Sequence, residues 1–281
     1  MSELIEKRLI QSENSGKKFD HRGFILYISF VALIVAILYF VQYSLLSGMI
    51  PVDIAQNYFY FNYESPNIYS LFLSKFIHNP ENPMHLQENV TSFLTISFII
   101  GVLYFYFFPV VKIKMPDYFL PVVYFMIIFL VPFMVSMISY IYREIGVINL
   151  DIQYSIGFSG TIWALFGFMF FLSAIFCLKT ISLALKDNTQ EDFARIISVC
   201  LPLILAVALM IILPVFIILV DVNTNKNVYA HLAGFLYGWL IPIISGTFLV
   251  SPCWRCRIGS IILIGALFLI PVLITGFLAA F

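Results

Sequence analysis

The sequence predicts an all-α membrane protein. Hydrophobic residues make up 62% of its 281 residues and charged residues only 11%, whereas charged residues approach a quarter of a typical soluble domain. A spanning helix needs roughly 20 mostly apolar residues, and seven stretches meet that requirement. They cover residues 24–46, 88–111, 118–142, 158–178, 196–220, 228–250 and 258–280. Because these runs are continuous rather than alternating, they predict helices and not barrel strands.

The runs divide the chain into three parts. Residues 1–23 are polar and too few to form a packed domain, so we interpret them as a cytoplasmic tail. Residues 24–250 hold six predicted spans, which form a helical core, and residues 251–281 comprise a cytoplasmic loop and a seventh span. The first run is too long for the apolar part of a signal peptide, and no small-residue cleavage site follows it. It is therefore predicted to be a retained span.

Positive side chains predict the orientation of the spans. Of the 15 lysines and arginines, 12 lie in the N-terminal tail or in the loops after spans two, four and six. The positive-inside rule then places the N-terminus in the cytoplasm and the C-terminus outside. Spans two, four and six all begin at the outer face, so the polar residues at their N-terminal ends lie at similar depth. We expect a multi-pass plasma-membrane protein, and its net charge of zero gives no indication of nucleic-acid binding.

The segment at 47–84 is the long outer loop of this topology. It is rich in tyrosine and phenylalanine but has no run long enough to span. Aromatic side chains favour the interface between membrane and water. We therefore expect this loop to lie half-submerged rather than to form a soluble domain.

Ser159 is the candidate nucleophile, because it lies between Gly157 and Gly160 at the start of an otherwise apolar span. A serine hydroxyl becomes nucleophilic when a base, usually histidine, takes its proton. His231 begins span six, where small residues repeat every four positions, and span four has a matching small face. These two faces consist of Ala230, Gly234 and Gly238 on one side and Gly160, Ala164 and Gly167 on the other.

Close packing of those faces would bring Ser159 and His231 within hydrogen-bond reach. Trp163, one turn after Ser159, could hold the imidazole by stacking, a role that an acidic residue fills in soluble triads. Two simpler interpretations remain open. Ser159 could be only a small residue that lets helices approach, and Trp163 could be an interfacial aromatic residue.

Span two supplies candidate donors for an oxyanion. His85 and Asn89 are four residues apart and so project from one helix face, and each can donate a hydrogen bond. One such donor contributes roughly 10²- to 10³-fold to the rate of acyl transfer. The alternative for Asn89 is a buried polar residue bonded to a neighbouring helix.

These motifs resemble those of the rhomboid family of intramembrane serine proteases. That family carries His-x-x-x-Asn in its second helix, Gly-x-Ser-Gly at the start of its fourth, and a histidine followed by packing glycines in its sixth. The corresponding residues here are His85 with Asn89, Gly157 to Gly160, and His231 with Gly234 and Gly238, within a stretch from about 76 to 250.

The resemblance implies six core helices plus a C-terminal seventh, with Ser159 as nucleophile and His231 as general base and acid. It implies an oxyanion site from His85, Asn89 and the Ser159 amide, and no metal or cofactor. The substrates would be transmembrane proteins, cleaved in or beside a spanning helix within the bilayer. Phe76-Ile77-His78 resembles the family's Phe-x-His. The gap between His78 and His85 is longer than the family's, so we leave His78 outside the predicted site.

Other functions compete with proteolysis. An inactive rhomboid-like protein that binds membrane clients would typically lack the nucleophile or the base, and both are present. A metalloenzyme could use His78, His85, Glu88 and His231, but no His-Glu-x-x-His motif occurs. A channel or transporter is disfavoured because the span cores carry no charged residue.

Two further features are a cysteine pair and a loop between spans five and six. Cys253 and Cys256 have the spacing of a metal or redox pair, but one pair supplies only two of the four ligands of a structural zinc site. The loop at 221–227 could act as a lid over the site.

Overall fold

Helices dominate the computed structural model, which describes residues 21–79, 82–115, 118–145, 154–186 and 228–250 and a few isolated positions between 212 and 274. In chain order the main helices are α1 (His21–Leu46), α2 (Ile68–Leu73), α3 (Pro83–Val102), α4 (Phe119–Phe129), α5 (Val131–Glu144), α6 (Ser159–Lys186) and α7 (Val228–Val250). Two short strands, β1 (Phe61–Asn62) and β2 (Tyr154–Ser155), pair antiparallel.

Within the described ranges, five helical stretches are long and apolar enough to cross a membrane. They are His21–Leu46, Met84–Val110, Phe119–Glu144, Ser159–Ser182 and Val228–Gly246. They coincide with five of the seven predicted runs, which confirms the expectation of an all-α, multi-pass membrane protein. The runs predicted at 196–220 and 258–280, the loop at 251–257 and residues 1–20 of the predicted tail lie outside the described residues, apart from isolated positions. The last three residues of the predicted tail, 21–23, belong to α1.

The first loop packs against the end of α5 and is only partly a surface aromatic segment. Phe61 and Tyr63 are 0% and 2% exposed, and they cluster with Met137 and Tyr140 of α5. Large rings contribute most when they are buried against other apolar groups, which explains why these two leave the surface. Tyr58 and Tyr69 remain exposed, and Phe59, Tyr60 and Phe72 are half-buried, so only part of the segment has the exposure expected of interfacial residues.

Helices α6 and α7 touch through their backbones. A methyl group on Gly234 would lie 2.1 Å from the carbonyl oxygen of Gly160, and one on Gly238 would lie 2.0 Å from that of Ala164. Such distances leave no room for any side chain at these positions. The small faces predicted from the four-residue repeats are therefore the contact surface between the two helices.

The N-terminal end of α6 is anchored by an aromatic residue just before it. Phe158 is fully buried, and its ring lies 5.7 Å from the ring centroids of both Phe76 and Phe93. Phe76 belongs to the first loop and Phe93 to α3, so three parts of the chain meet here. This packing determines where α6 begins, and with it the position of Ser159.

We predict that Gly238→Ala destabilises the protein by about 1–3 kcal/mol or more, because the added methyl group overlaps the α6 backbone. The matched control is Gly246→Ala in the same helix, where a methyl group would lie 3.5 Å from the Phe119 ring, an ordinary contact. The measurement is the unfolding midpoint of each variant in detergent. Equal midpoints for the two variants would contradict the close backbone contact.

Candidate active site

Ser159 and His231 meet where α6 and α7 begin. Ser159 is the first residue of α6, and His231 lies in the first turn of α7. His231 Nε2 is 3.0 Å from Ser159 Oγ, which is hydrogen-bond distance. His231 is 9% exposed, and Ser159 is partly buried. A neutral imidazole that carries its proton on Nδ1 can accept the serine hydroxyl hydrogen at Nε2.

Trp163 holds the imidazole from one side. The two rings are stacked, with centroids 5.5 Å apart and planes at 23°. Trp163 is one turn after Ser159 on α6, so the same helix provides both the hydroxyl and the stacking surface. A second stacked pair, Tyr142 of α5 and Tyr229 of α7, has centroids 4.6 Å apart and fastens the start of α7 to α5. Together the two contacts restrict the movement of His231.

The first turn of α6 leaves backbone donors beside the serine hydroxyl. The N–H groups of Thr161 and Ile162 both donate to the Phe158 carbonyl, at 3.0 and 3.1 Å. The N–H groups of Ser159 and Gly160 come before these first helical bonds and have no partner within the helix. The helix dipole adds partial positive charge at the same end. Negative charge that develops next to Ser159 would be stabilised there.

Gly157 meets two demands that disfavour a side chain. Its φ is +109°, and a methyl group would lie 3.3 Å from His85 Cε1. Its N–H donates to the Ser74 carbonyl at 2.9 Å. Glycine adopts positive φ without the steric penalty of other residues. The turn before Ser159 can thus pass directly against His85.

His78, His85 and Asn89 form a cluster on the other side of this turn. Asn89 Nδ2 is 2.8 Å from His78 Nε2 and 3.4 Å from His85 Nε2. The N–H of Phe158, the residue before Ser159, donates to His78 Nε2 at 3.4 Å. The predicted pair His85 and Asn89 therefore lies beside the segment that carries Ser159.

The hydrogen bonds of His78 indicate its tautomer. Since the Phe158 N–H can only donate, Nε2 is an acceptor and the proton of the neutral ring lies on Nδ1. Burial, with a smaller contribution from the nearby His85, lowers the pKa of His78 from 6.5 to about 3. The ring is thus neutral near pH 7, and its Nε2 lone pair is shared between the Asn89 amide at 2.8 Å and the Phe158 N–H at 3.4 Å. Gln42 of α1 holds the His78 backbone with two hydrogen bonds, of 3.0 and 3.2 Å.

The structure thus brings together Ser159 and His231, with Trp163 beside the imidazole, and Gly157 next to the cluster of His85 and Asn89. Gly234 and Gly238 lie in the contact between α6 and α7. His78 is the residue that sequence analysis left out. The sequence Phe-Ile-His at 76–78 is the feature that indicates a role for His78, whereas the long gap between His78 and His85 argues against one.

Lys75 is a second residue that the sequence did not single out. It is 3% exposed, and its Nζ donates to Ser155 Oγ at 2.9 Å. Ser155 also pairs with Phe61 in the β1–β2 ladder. These contacts tie the first loop to the segment that leads into Ser159. Burial lowers the pKa of Lys75 from 10.5 to about 7.

Some predicted features lie outside the described residues. These are the lid at 221–227 and the pair Cys253 and Cys256. Among the side chains that the structure describes, no group of three or more histidines, cysteines, aspartates or glutamates is arranged to hold a metal ion. Glu88, which a metal site would need, is exposed on α3.

Comparisons with known proteins place this chain in no family. No protein-family model matches it, and neither the curated proteins nor the solved structures include a match.

The lowered pKa of Lys75 predicts a pH-dependent stability. Between pH 7 and 10.5 the unfolded chain binds more protons at this lysine than the folded chain does. The free energy of unfolding therefore rises with pH in this range, because the cost of burying a charged amine is lost. For one titrating group, the free energy of unfolding can rise by at most about 1.4 kcal/mol per pH unit. Lys75→Met removes the effect. In unfolding experiments from pH 6 to 10, the wild type should gain stability relative to Lys75→Met above pH 7. Parallel pH profiles would contradict this prediction.

Proposed function

We propose that this protein is a serine protease of the rhomboid type, which cleaves membrane-protein substrates within the bilayer. The observation that carries the proposal is the 3.0 Å contact between Ser159 Oγ and His231 Nε2 at the ends of two apolar helices. Backbone donors at the start of α6 lie beside Ser159, and the cluster around Asn89 is joined to the preceding residue by the hydrogen bond from the Phe158 N–H to His78. The motif resemblance supports the same assignment, because its three motifs supply these residues.

In the proposed reaction, Ser159 Oγ attacks the carbonyl carbon of the scissile peptide bond while His231 Nε2 takes the hydroxyl proton. The carbonyl electron pair moves to oxygen and forms an oxyanion. Its collapse breaks the C–N bond, and His231 gives its proton to the leaving amine. A water molecule, deprotonated by His231, then hydrolyses the acyl-enzyme and restores Ser159. The dyad itself requires no metal or cofactor.

The oxyanion donors in this proposal are the Ser159 N–H, Asn89 and His85. Asn89 has two amide hydrogens, and its 2.8 Å contact with His78 occupies one of them. The other hydrogen points to His85 Nε2 over a longer distance, 3.4 Å, and in the proposed reaction it donates to the oxyanion instead. His78 thus acts as a positioning residue, because it orients the Asn89 amide without touching the substrate.

The setting of the pair suggests which substrates reach it. Ser159 and His231 begin spans four and six, which in the proposed topology enter from the outer face, with the N-terminus in the cytoplasm and the C-terminus outside. The complete bundle would have six core spans plus a seventh, in the plasma membrane. Substrates would be transmembrane proteins cleaved near that face. A stable helix shields its carbonyls, so residues that weaken the helix are expected near the cleaved bond.

We predict that Ser159→Ala and His231→Ala each lower cleavage of single-span substrates by about 10⁴-fold or more, since the two residues act as one unit. The matched control is Ser173→Ala on the same helix, because within the described part of the chain that buried hydroxyl bonds to the Met169 carbonyl alone. Activity is measured with purified protein in liposomes against a panel of substrates. Cleavage that survives Ser159→Ala would contradict the assignment. Client binding without cleavage by the wild type would favour an inactive rhomboid-like protein.

A double-mutant cycle tests how His78 acts. Asn89→Ala should lower kcat by about 10²- to 10³-fold with little change in KM, because it removes an oxyanion donor. If His78 acts through Asn89, adding His78→Ala to Asn89→Ala should cause little further loss. Losses that multiply in the double variant would show that His78 acts independently of Asn89.

A further inference from the structure

The first loop and Tyr154 of β2 line a polar pocket whose residues are separate from those of the candidate active site. Its volume is about 630 Å³, which falls within the roughly 300–1,000 Å³ typical of small-molecule sites. Such sites are usually lined by apolar side chains, whereas this one is dominated by amides and phenol groups. Its principal lining residues are Gln56, Asn57, Tyr60, Asn62, Asn67 and Tyr154.

The lining carries no formal charge. None of the described residues that line this pocket is an aspartate, glutamate, lysine or arginine, and the exposed Glu64, between Asn62 and Ser65 in the chain, is not part of the lining. A phosphate or carboxylate ligand would find no positive partner, and a metal ion would find no carboxylate. The pocket is therefore suited to a polar but uncharged ligand.

Two of the amides are held in place by the loop itself. Asn67 Oδ1 accepts from the Tyr69 N–H at 2.9 Å, and its Nδ2 donates to the Asn57 carbonyl at 3.3 Å. Asn62 Oδ1 accepts from the Glu64 N–H at 2.8 Å. These bonds fix the wall of the pocket before any ligand arrives, which lowers the entropy lost on binding.

The other two amides are available to a ligand. Gln56 and Asn57 are exposed, and their side chains make no hydrogen bond within the described part of the chain. Each carboxamide has an acceptor oxygen and two donor hydrogens. A hydroxyl group also donates and accepts, so a polyhydroxylated ligand matches these side chains better than a ligand with acceptors alone.

Two aromatic rings complete the pocket. Tyr60 and Tyr154 have ring centroids 5.8 Å apart and planes at 82°. In this edge-to-face pair the edge of one ring meets the face of the other, and both half-buried rings line the pocket together with the amides. A pyranose ring has the same two-sided character, with C–H groups on its faces and hydroxyls around its edge.

We propose that this pocket binds a neutral hexose, presented as a glycolipid headgroup or as a free glycan. The amides would bond the sugar hydroxyls, and a tyrosine ring would pack against the C–H face. This binding is independent of the proposed proteolysis, so each can fail without the other.

The first test measures binding of lactose and maltose to the full-length protein by saturation-transfer NMR. The detergent must have no sugar headgroup, because a glycosidic detergent would compete for the pocket. We expect saturable binding by the wild type and at least tenfold weaker binding by the double variant Gln56→Ala, Asn57→Ala. The matched control is Gln87→Ala, an exposed amide on α3 outside the pocket, which should bind as the wild type does.

A second arm distinguishes the two sources of the sugar. The protein is placed in nanodiscs of phosphatidylcholine that contain either monogalactosyl diacylglycerol or phosphatidylglycerol, and its unfolding temperature is measured. A rise with the galactolipid that the double variant lacks supports a glycolipid headgroup, whereas disaccharide binding alone supports a free glycan. The proposal is overturned if neither sugar form binds saturably, if the double variant binds as tightly as the wild type, or if the anionic lipid gives the larger rise.

Discussion

The candidate site depends on the direct backbone contact between α6 and α7. Gly234 and Gly238 let α7 approach until its Cα atoms lie against the carbonyl oxygens of Gly160 and Ala164. A histidine three residues before Gly234 then lies next to a serine one residue before Gly160. Any larger residue in this contact would separate the helices, and the hydrogen bond between Ser159 and His231 would be lost with it. Helix packing and chemistry are therefore specified by the same few residues.

A second constraint acts on the turn before Ser159. The Gly157 N–H is bonded to Ser74, the Phe158 N–H to His78, and Ser155 to Lys75. All three partners lie within a five-residue stretch at the end of the first loop. The loop therefore holds the turn before Ser159 in place, in addition to covering this end of the helices. Lys75 performs this role while buried, and its lowered pKa reflects the desolvation of its amine.

Much of the site could be predicted because it depends on periodicity. Residues four apart share a helix face, so the repeats around His231 and after Ser159 indicated which helices touch, and the spacing of His85 and Asn89 indicated a common face. Contacts made by irregular backbone left no such signal. The two-residue strands are too short to show alternation, and nothing near Lys75 in the sequence indicates that it is buried. His78 was missed because its position in the cluster depends on the path of the loop, not on its distance along the chain from His85.

The most direct test of the central claim is the reaction of the purified protein with a fluorophosphonate probe, followed by mass spectrometry of its peptides. Fluorophosphonates phosphonylate a serine whose hydroxyl is activated by a neighbouring base: Oγ forms the bond to phosphorus and fluoride leaves. We expect the adduct on Ser159 in the wild type and a large loss of labelling in His231→Ala. Labelling of a different residue, or undiminished labelling of Ser159 in His231→Ala, would contradict the assignment of these two residues as a catalytic dyad.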